Sequence, residues 1–281
     1  MKRTKKIFLC IISSQNLGRR WIMKICTFNV NSINARKDLI VQWVEQRNKD
    51  IDVLCFQELK SEQEHFPYQD FERLGYSSIV NGQKAYNGVA ICSKLSMKRI
   101  LEKEIDQYWD PQKRIIATKI KAINLINIYA PHGDVRGTEK FDYKRNWYQK
   151  LVSFLDTHFS AGQALIIVGD FNVARDDQDV WSPEILKDSI GTMPEERKSF
   201  QELLAWGFID SFRSLYPEKK QFTWWDYIGG AIWRDQGMRI DYVLCTESLM
   251  KRAQNIEVDL WPRKRRKPTP SDHAPLIVTL I

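Results

Sequence analysis

No stretch of this 281-residue sequence approaches the roughly 18 consecutive apolar residues that a membrane-spanning helix needs, so a membrane-embedded role is excluded and a soluble globular protein is expected. Cysteine is scarce and odd in number. Cys10, Cys26, Cys55, Cys92 and Cys245 show no CxxC spacing, and four of them sit inside apolar runs. That argues against a disulfide framework or a thiolate zinc site and predicts buried, reduced thiols in a cytoplasmic protein. Histidine is scarcer still, at four. Nor does any Gly- or Ser-rich linker divide the chain, which predicts one folded unit.

Acidic residues are missing altogether from residues 1–22, which hold Lys2, Arg3, Lys5, Lys6, Arg19 and Arg20. Removing those six from the net charge of +8 leaves only +2 for residues 23–281. A nucleic-acid partner must therefore be argued from local patches and not from the total. The basic start and the short run Ile7–Ile12 imitate a secretion signal, but the run is too short and no small-residue cleavage site follows. Residues 1–22 are accordingly read as a disordered basic extension or the product of an upstream start codon, with the fold spanning residues 23–281.

What is present is a series of short β-branched runs. Ile25–Phe28, Val53–Phe56, Gly88–Cys92, Leu125–Tyr129 and Leu165–Val168 are too short for helices and read as buried strands. Leu39, Ile40, Trp43 and Val44 form a helical stripe, as do Leu151, Phe154 and Leu155. Pro194-Glu195-Glu196 opens a third helix, with proline and acids in its first turn. Several strand pairs lack a helix between them, which predicts mixed sheets covered by helices instead of a simple βαβ series. An internal echo, Phe-Asn-Val, recurs in TFNVNSINAR (27–36) and GDFNVARDD (169–177).

The strand ends carry the chemistry. Asn29 and Asn31 follow the first strand, Gln57-Glu58 the second, Tyr129 precedes Pro131-His132, Asp170 and Asn172 follow LIIVG, and Asp241 lies within MRIDYVLCT. Near the C-terminus TPSDHAPL sets Asp272 beside His273, ahead of a closing strand over Leu276–Leu280. Each alone reads as a capped turn or a surface ion pair, for instance Glu58 with Lys60 or Asp241 with Arg239. Together they put several carboxylates at the ends of buried strands, which costs desolvation free energy unless a cation meets them. Carboxylates and amides without cysteine suit a hard divalent cation, Mg²⁺ or Mn²⁺, acting on phosphate oxygens. Hydrolysis of a phosphate ester further needs a group that activates water, neutral donors for the phosphate and a group facing the leaving oxygen.

The ordered set TFNVNSINAR, LCFQELK, NIYAPHG, GDFNVA, RIDYVL and PSDHAP resembles the exonuclease III family of AP endonucleases, within the endonuclease/exonuclease/phosphatase superfamily. The resemblance covers the chain from residue 23 onward. It implies an α/β fold, a four-layered α/β sandwich of two mixed β-sheets flanked by helices. It implies Glu58 as principal Mg²⁺ ligand, with Asn29, Asn31 and Asp272 in the metal shell and Mn²⁺ as a substitute. Asp170 would orient or deprotonate the attacking water and Asn172 would donate to a phosphate oxygen. His273, oriented by Asp241, would face the scissile phosphate, and Tyr129 the phosphate or leaving group. Whether Asp170 or the Asp241–His273 pair is the base stays open. His132 stands where the family more often shows an amide.

The implied substrate is double-stranded DNA with abasic sites or 3′ ends, cut 5′ to the abasic site by a monomeric enzyme of the cytoplasm and nucleoid that also has 3′-to-5′ exonuclease and 3′-end-cleaning activity. Within FTWWDYIGGAIWRDQGMRID (222–241) Trp224, Trp225, Tyr227 and Trp233 crowd a Gly-bearing loop, either as a local minicore or as a wall for a flipped-out baseless sugar. The resemblance assigns that wall to Trp224, with Met238 and Ile240 opposite. Lys140, Lys144, Arg145, Arg234 and the run Arg263–Lys267 are candidate phosphate contacts. Two rivals are another phosphodiesterase or phosphatase of the same fold, and a non-catalytic nucleic-acid-binding regulator on that scaffold.

Overall fold

The computed structural model describes residues 22–105 and 111–281. The expected disordered extension lies outside the described residues, Ile22 apart. One six-stranded sheet contains β1 (Met23–Asn29), β2 (Val53–Gln57), β3 (Ser77–Asn81), β4 (Val89–Ser93), β13 (Ala253–Val258) and β14 (Leu276–Leu280), in the order β13-β14-β1-β2-β4-β3. The other holds β5 (Met97–Ile100), β6 (Ile115–Ile120), β7 (Ile123–Tyr129), β8 (Leu165–Asp170), β9 (Phe208–Asp210) and β12 (Asp241–Thr246), in the order β5-β6-β7-β8-β12-β9. A short ribbon pairs β10 (Trp224–Trp225) with β11 (Gly237–Met238). The helices are α1 (Ile33–Arg47), α2 (Tyr68–Arg73), α3 (Glu102–Glu104), α4 (Glu139–His158), α5 (Pro194–Ala205), α6 (Ser211–Leu215) and α7 (Glu247–Met250).

Both large sheets are mixed for one reason. β1 and β2 run parallel, as do β7 and β8, and α1 and α4 make those two crossovers; the other pairings within the sheets are antiparallel. The strands alternate between two cores. Val53 and Cys55 face a central core shared with Ile116, Leu125, Ile166 and Val243 of the other sheet, while Leu54 and Phe56 face Ile40, Trp43 and Val44 of α1. Likewise Ile166 and Val168 point inward, and Leu165 and Ile167 meet Leu151 and Leu155 of α4 and Phe200 of α5. Burial on both faces is why these strands read as unbroken apolar runs. The layers are helix, sheet, sheet, helix, as expected.

Local signals fix the helix ends. Ser32 caps α1 by accepting the Ala35 N–H at 3.4 Å, and Thr138 caps α4 by accepting that of Phe141 at 3.2 Å. In α5, Pro194 has no N–H and so needs no acceptor, and Glu196 Oε2 accepts the N–H groups of Gly191 and Met193 at 2.7 and 3.2 Å. Gly169 is required where β7 and β8 close up: at φ +146° a Cβ there would collide with the Ile128 carbonyl. The four described cysteines are free and buried, whereas Cys10 lies outside the described residues. No described helix is long and apolar enough to cross a membrane.

Candidate active site

The carboxyl ends of β1, β2, β7 and β8, the start of β12 and the segment before β14 converge on one cavity of about 300 Å³. Its polar side carries Asn29, Asn31, Glu58, Tyr129, Asp170, Asn172, Asp272 and His273, so all but one of the expected catalytic and metal residues line a single space. Asp241, the exception, lies directly behind it. The pairing of β14 with β1, Leu276 opposite Thr27, brings Asp272 and His273 next to Asn29. Ser271 secures that junction, donating to the Asn29 carbonyl at 2.7 Å and accepting the His273 N–H at 3.2 Å.

His273 lies between two carboxylates. Its Nδ1 is 2.8 Å from Asp241 Oδ2, and its Nε2 is 3.7 Å from Asp170 Oδ2. All three are buried, and their ligand atoms lie within 4.8 Å of one another, a group that could hold a metal ion. Burial alone would push the imidazolium down, but the charge of Asp241, then that of Asp170, outweighs it and lifts the His273 pKa to about 10. For Asp170 burial dominates, and although His273 opposes it the Asp241 charge adds to it, raising the carboxyl to about 7. Asn29 Nδ2 donates to Asp170 Oδ2 at 2.8 Å and the Asn172 N–H to Oδ1 at 2.9 Å, so the carboxylate is oriented on both oxygens. Asp241 Oδ1 is buried without a hydrogen-bond partner.

The sequence echo pairs the wrong residues. Phe-Asn-Val aligns Asn29 with Asn172, but the hydrogen bonds of the two turns match differently. Asn29 ends β1 and its Oδ1 accepts the Asn31 N–H at 3.0 Å; Asp170 ends β8 and accepts the Asn172 N–H. Asn31 and Asn172 both take left-handed backbone, at φ 45° and 53°. Asn29 thus corresponds to Asp170, and the same turn is built once with an amide and once with a carboxylate.

On the other flank of the cavity, Asp272 accepts Asn31 Nδ2 at 3.0 Å and the Trp224 indole N–H at 3.0 Å. Burial would raise its carboxyl, but His273 and these two donors hold it below the ordinary range. Glu58, in left-handed backbone at φ 55°, reaches Lys60 Nζ at 2.9 Å, and the same ammonium donates to Asn31 Oδ1 at 2.7 Å. The ion pair read from sequence therefore exists and sits inside the candidate metal set. Lys60 was not picked out for the site, nor was Arg114, whose guanidinium lies 5.0 Å over the Tyr129 ring and donates to the Tyr129 carbonyl at 3.1 Å. Lys60 closes the motif LCFQELK and Arg114 follows Lys113 outside every motif, and a basic residue in either place gives no signal by itself.

Trp224, Met238 and Ile240 form the apolar wall, joined by Ile190 and Gly191, which sequence reasoning missed. At φ +84°, a Cβ on Gly191 would press on the Asn172 carbonyl and Met238 Cε at 3.1 and 3.3 Å. The aromatic loop divides its residues. Trp225 is fully buried with Phe222, Ala231 and Ile232, a true minicore, whereas Trp224 lines the cavity and Trp233 is 62% exposed.

Several basic candidates are placed elsewhere. Lys140 is exposed, 3.9 Å from Asp134, and lines a neighbouring cavity that shares Tyr129 and His132; Arg234 is exposed against Gly229 of the loop. Neither lines the main cavity. The expectation that Lys144 belongs to a surface cluster is wrong. It is buried because its ammonium meets Glu196 at 2.6 Å and the carbonyls of Asn172 and His132 at 2.7 and 3.0 Å, tying α5 to two loops behind the site. Arg263 is also buried, donating to the carbonyls of Asp272 and Trp225 at 3.1 and 2.9 Å, and is unavailable to a phosphate.

The sequence profile of the Endonuclease/Exonuclease/phosphatase family matches residues 26–273. Exodeoxyribonuclease III of Haemophilus influenzae is 35% identical, covering 90% of this chain and 98% of its own. An AP endonuclease from Archaeoglobus fulgidus superposes with a TM-score of 0.86 at 36% identity, over 92% of this chain and 99% of that one. The 3′ phosphatase NExo from Neisseria, bound to a product DNA hairpin, gives 0.83 at 35% identity over 92% and 99%.

Proposed function

The chain belongs to the endonuclease/exonuclease/phosphatase family, and from that premise we propose that this DNA repair nuclease hydrolyses the phosphodiester 5′ to abasic sites in duplex DNA, with Mg²⁺ as cofactor. The observation that carries the reading is the buried line Asp241–His273–Asp170 facing one cavity with a carboxylate flank and an apolar wall. The same site serves 3′-to-5′ exonuclease and 3′-end-cleaning reactions, since each presents a phosphate ester beside a deoxyribose. The enzyme acts as a monomer at the nucleoid.

In this reading Asp241 fixes the His273 ring and keeps it protonated, so Nε2 donates to a non-bridging phosphate oxygen at neutral pH. With His273 already protonated, Asp170 is the group left to orient and deprotonate water, and a carboxyl raised to about 7 suits that task. Asn172 donates its Nδ2 to Ala130 O at 2.9 Å and is held at the cavity edge to meet the phosphate without competing charge. Tyr129, whose phenol burial and then Glu58 keep protonated well above its ordinary range, donates to the phosphate or leaving oxygen.

Glu58, Asp272 and Asn31 would hold Mg²⁺, with Asn29 beside them. The Lys60 ammonium already bridges Glu58 and Asn31 oxygens, which supports a cation at those two residues. When bound, the metal supplies Lewis-acid polarisation of the phosphate and charge relief on the leaving oxygen. A protonated His273 would not serve as a ligand, so the residues on the Glu58 flank would be the ones to hold the metal. Trp224, Met238 and Ile240 would accept a sugar that lacks its base and resist an intact nucleotide, which must also be unstacked.

A labelled duplex with one stable abasic analogue, incubated with Mg²⁺ or EDTA beside an undamaged control, tests this. A nick 5′ to the analogue only with Mg²⁺ is expected; its absence refutes the reading.

A further inference from the structure

We infer that the exposed run Lys264, Arg265, Arg266 and Lys267 forms a second contact surface for the nucleic-acid backbone, outside the cavity and bolted to it. The inference rests on the reading of the site as a DNA nuclease and extends it to how the flanking duplex is gripped. All four residues are exposed, and among the described residues none of them has an ion-pair partner. Residues 260–271 contain no acid at all. Four adjacent like charges repel one another, a cost that a polyanion would relieve.

A solvated charge run needs no fixed shape, yet this one is held. Arg263, buried just before it, donates to the carbonyl of Asp272 itself and to that of Trp225, and its guanidinium lies 5.4 Å from the Tyr227 ring. The Lys264 and Arg265 N–H groups close turns on Leu260 and Pro262 at 3.0 and 3.2 Å. Arg265 stacks 3.9 Å over Trp261, with Arg47 at 5.8 Å from the same ring. The run is therefore pre-oriented, and its anchor is the backbone of a residue lining the cavity. Lys264 also lies 6.0 Å from the exposed Trp233 ring, an aromatic face of the kind on which bases stack. A basic and aromatic edge could also suit an anionic membrane. The attachment to Asp272 favours the strand entering the cavity.

The test is the salt dependence of binding to an undamaged duplex in EDTA, from about 50 to about 300 mM salt, for the full chain and for a variant with Lys264→Gln, Arg265→Gln, Arg266→Gln and Lys267→Gln. Each lost phosphate contact lowers the slope of log affinity against log salt by about 0.9, so a flattening of roughly two to four is expected. The maximal nicking rate at saturating abasic duplex stays within about two-fold, since none of the four touches the cavity. An unchanged slope overturns the inference, as does run-dependent binding to phosphatidylserine vesicles with the DNA slope intact. Because binding is measured without cleavage, failure of the nicking assay leaves this result separately readable.

Discussion

Two clusters of buried carboxylates flank the entrance to β12, and their charges are arranged in opposite ways. Arg239, fully buried, grips Asp179 at 2.7 and 2.8 Å and Asp210 at 2.7 and 3.0 Å, and Arg213 adds a bond to Asp179 at 2.6 Å. Arg175 also lies 3.5 Å from Asp210, so three guanidiniums meet the two buried carboxylates there. Two residues along the chain, Asp241 and Asp170 share one imidazole, Asp241 keeps an unpartnered oxygen, and Glu58 and Asp272 line the space in front. Among the described residues, the cations in ion-pair contact with these four carboxylates are Lys60 and a protonated His273. For Asp210, burial would raise the carboxyl but the charge of Arg239 and its hydrogen bonds outweigh it; Asp170 ends near 7. A neutralised cluster serves the fold, and a surplus of negative charge at a cavity calls for a cation and a substrate to complete it.

The largest expected effect follows from removing charge on the incomplete side. Asp170→Asn keeps the shape of the side chain and should lower the rate of nicking at an abasic analogue by roughly 10²- to 10⁴-fold, with little change in Tm; undiminished cleavage would remove Asp170 from its role. The opposite separation is expected on the balanced side. Arg239→Met strands two buried carboxylates and should cost about 3–5 kcal/mol in a urea titration, while the turnover of the folded fraction is kept.

The clusters should also fail at opposite ends of the pH scale in metal-free protein. His273 rises from an ordinary 6.5 to about 10, so the folded chain holds a proton that the unfolded chain has released, and stability falls as pH climbs through that window. Asp210 is depressed below 3.8, so it stays ionised in the fold where the unfolded chain takes up a proton, and stability falls as pH drops below about that value. Tm against pH in EDTA should lose its alkaline slope in His273→Gln and part of its acid slope in Asp210→Asn. If His273→Gln leaves the alkaline slope in place, the imidazole is not held protonated. The smallest effect is expected from Trp224→Phe, which keeps the apolar wall but drops the donor to Asp272. A loss of roughly ten-fold in kcat/KM is expected, about the worth of one hydrogen bond to a charged group.

Much of this was legible in the chain. The apolar runs mark strands because burial on both faces leaves no polar alternation to blur them, and the polar residues at their ends mark the site because β-strand termini in such sheets face a common edge. The aromatic loop was legible only as a choice between minicore and wall, and the fold uses both, with Trp225 inward and Trp224 in the cavity. The internal echo of three letters could not show the turn geometry that makes Asn29 equivalent to Asp170. The basic residues were least legible. Lys144 and Arg263 look like their exposed neighbours in sequence and are buried in the fold, since only the position of Glu196 and of the carbonyls of Asp272 and Trp225 could reveal their partners.

The sequence by itself determined the strands, the helix starts and which polar residues stand at strand ends, because these depend on neighbours a few positions away. Tertiary structure alone decided the partners. Asp241 could have met Arg239, two residues away, but Arg239 lies ahead of β12 with its N–H bonded to the Asp179 carbonyl, so its guanidinium meets Asp179 and Asp210 while Asp241, opening the strand, meets His273. The antiparallel pairing of β14 with β1 then carried His273 across from the far end of the chain, and with it the difference between a paired charge and a working one.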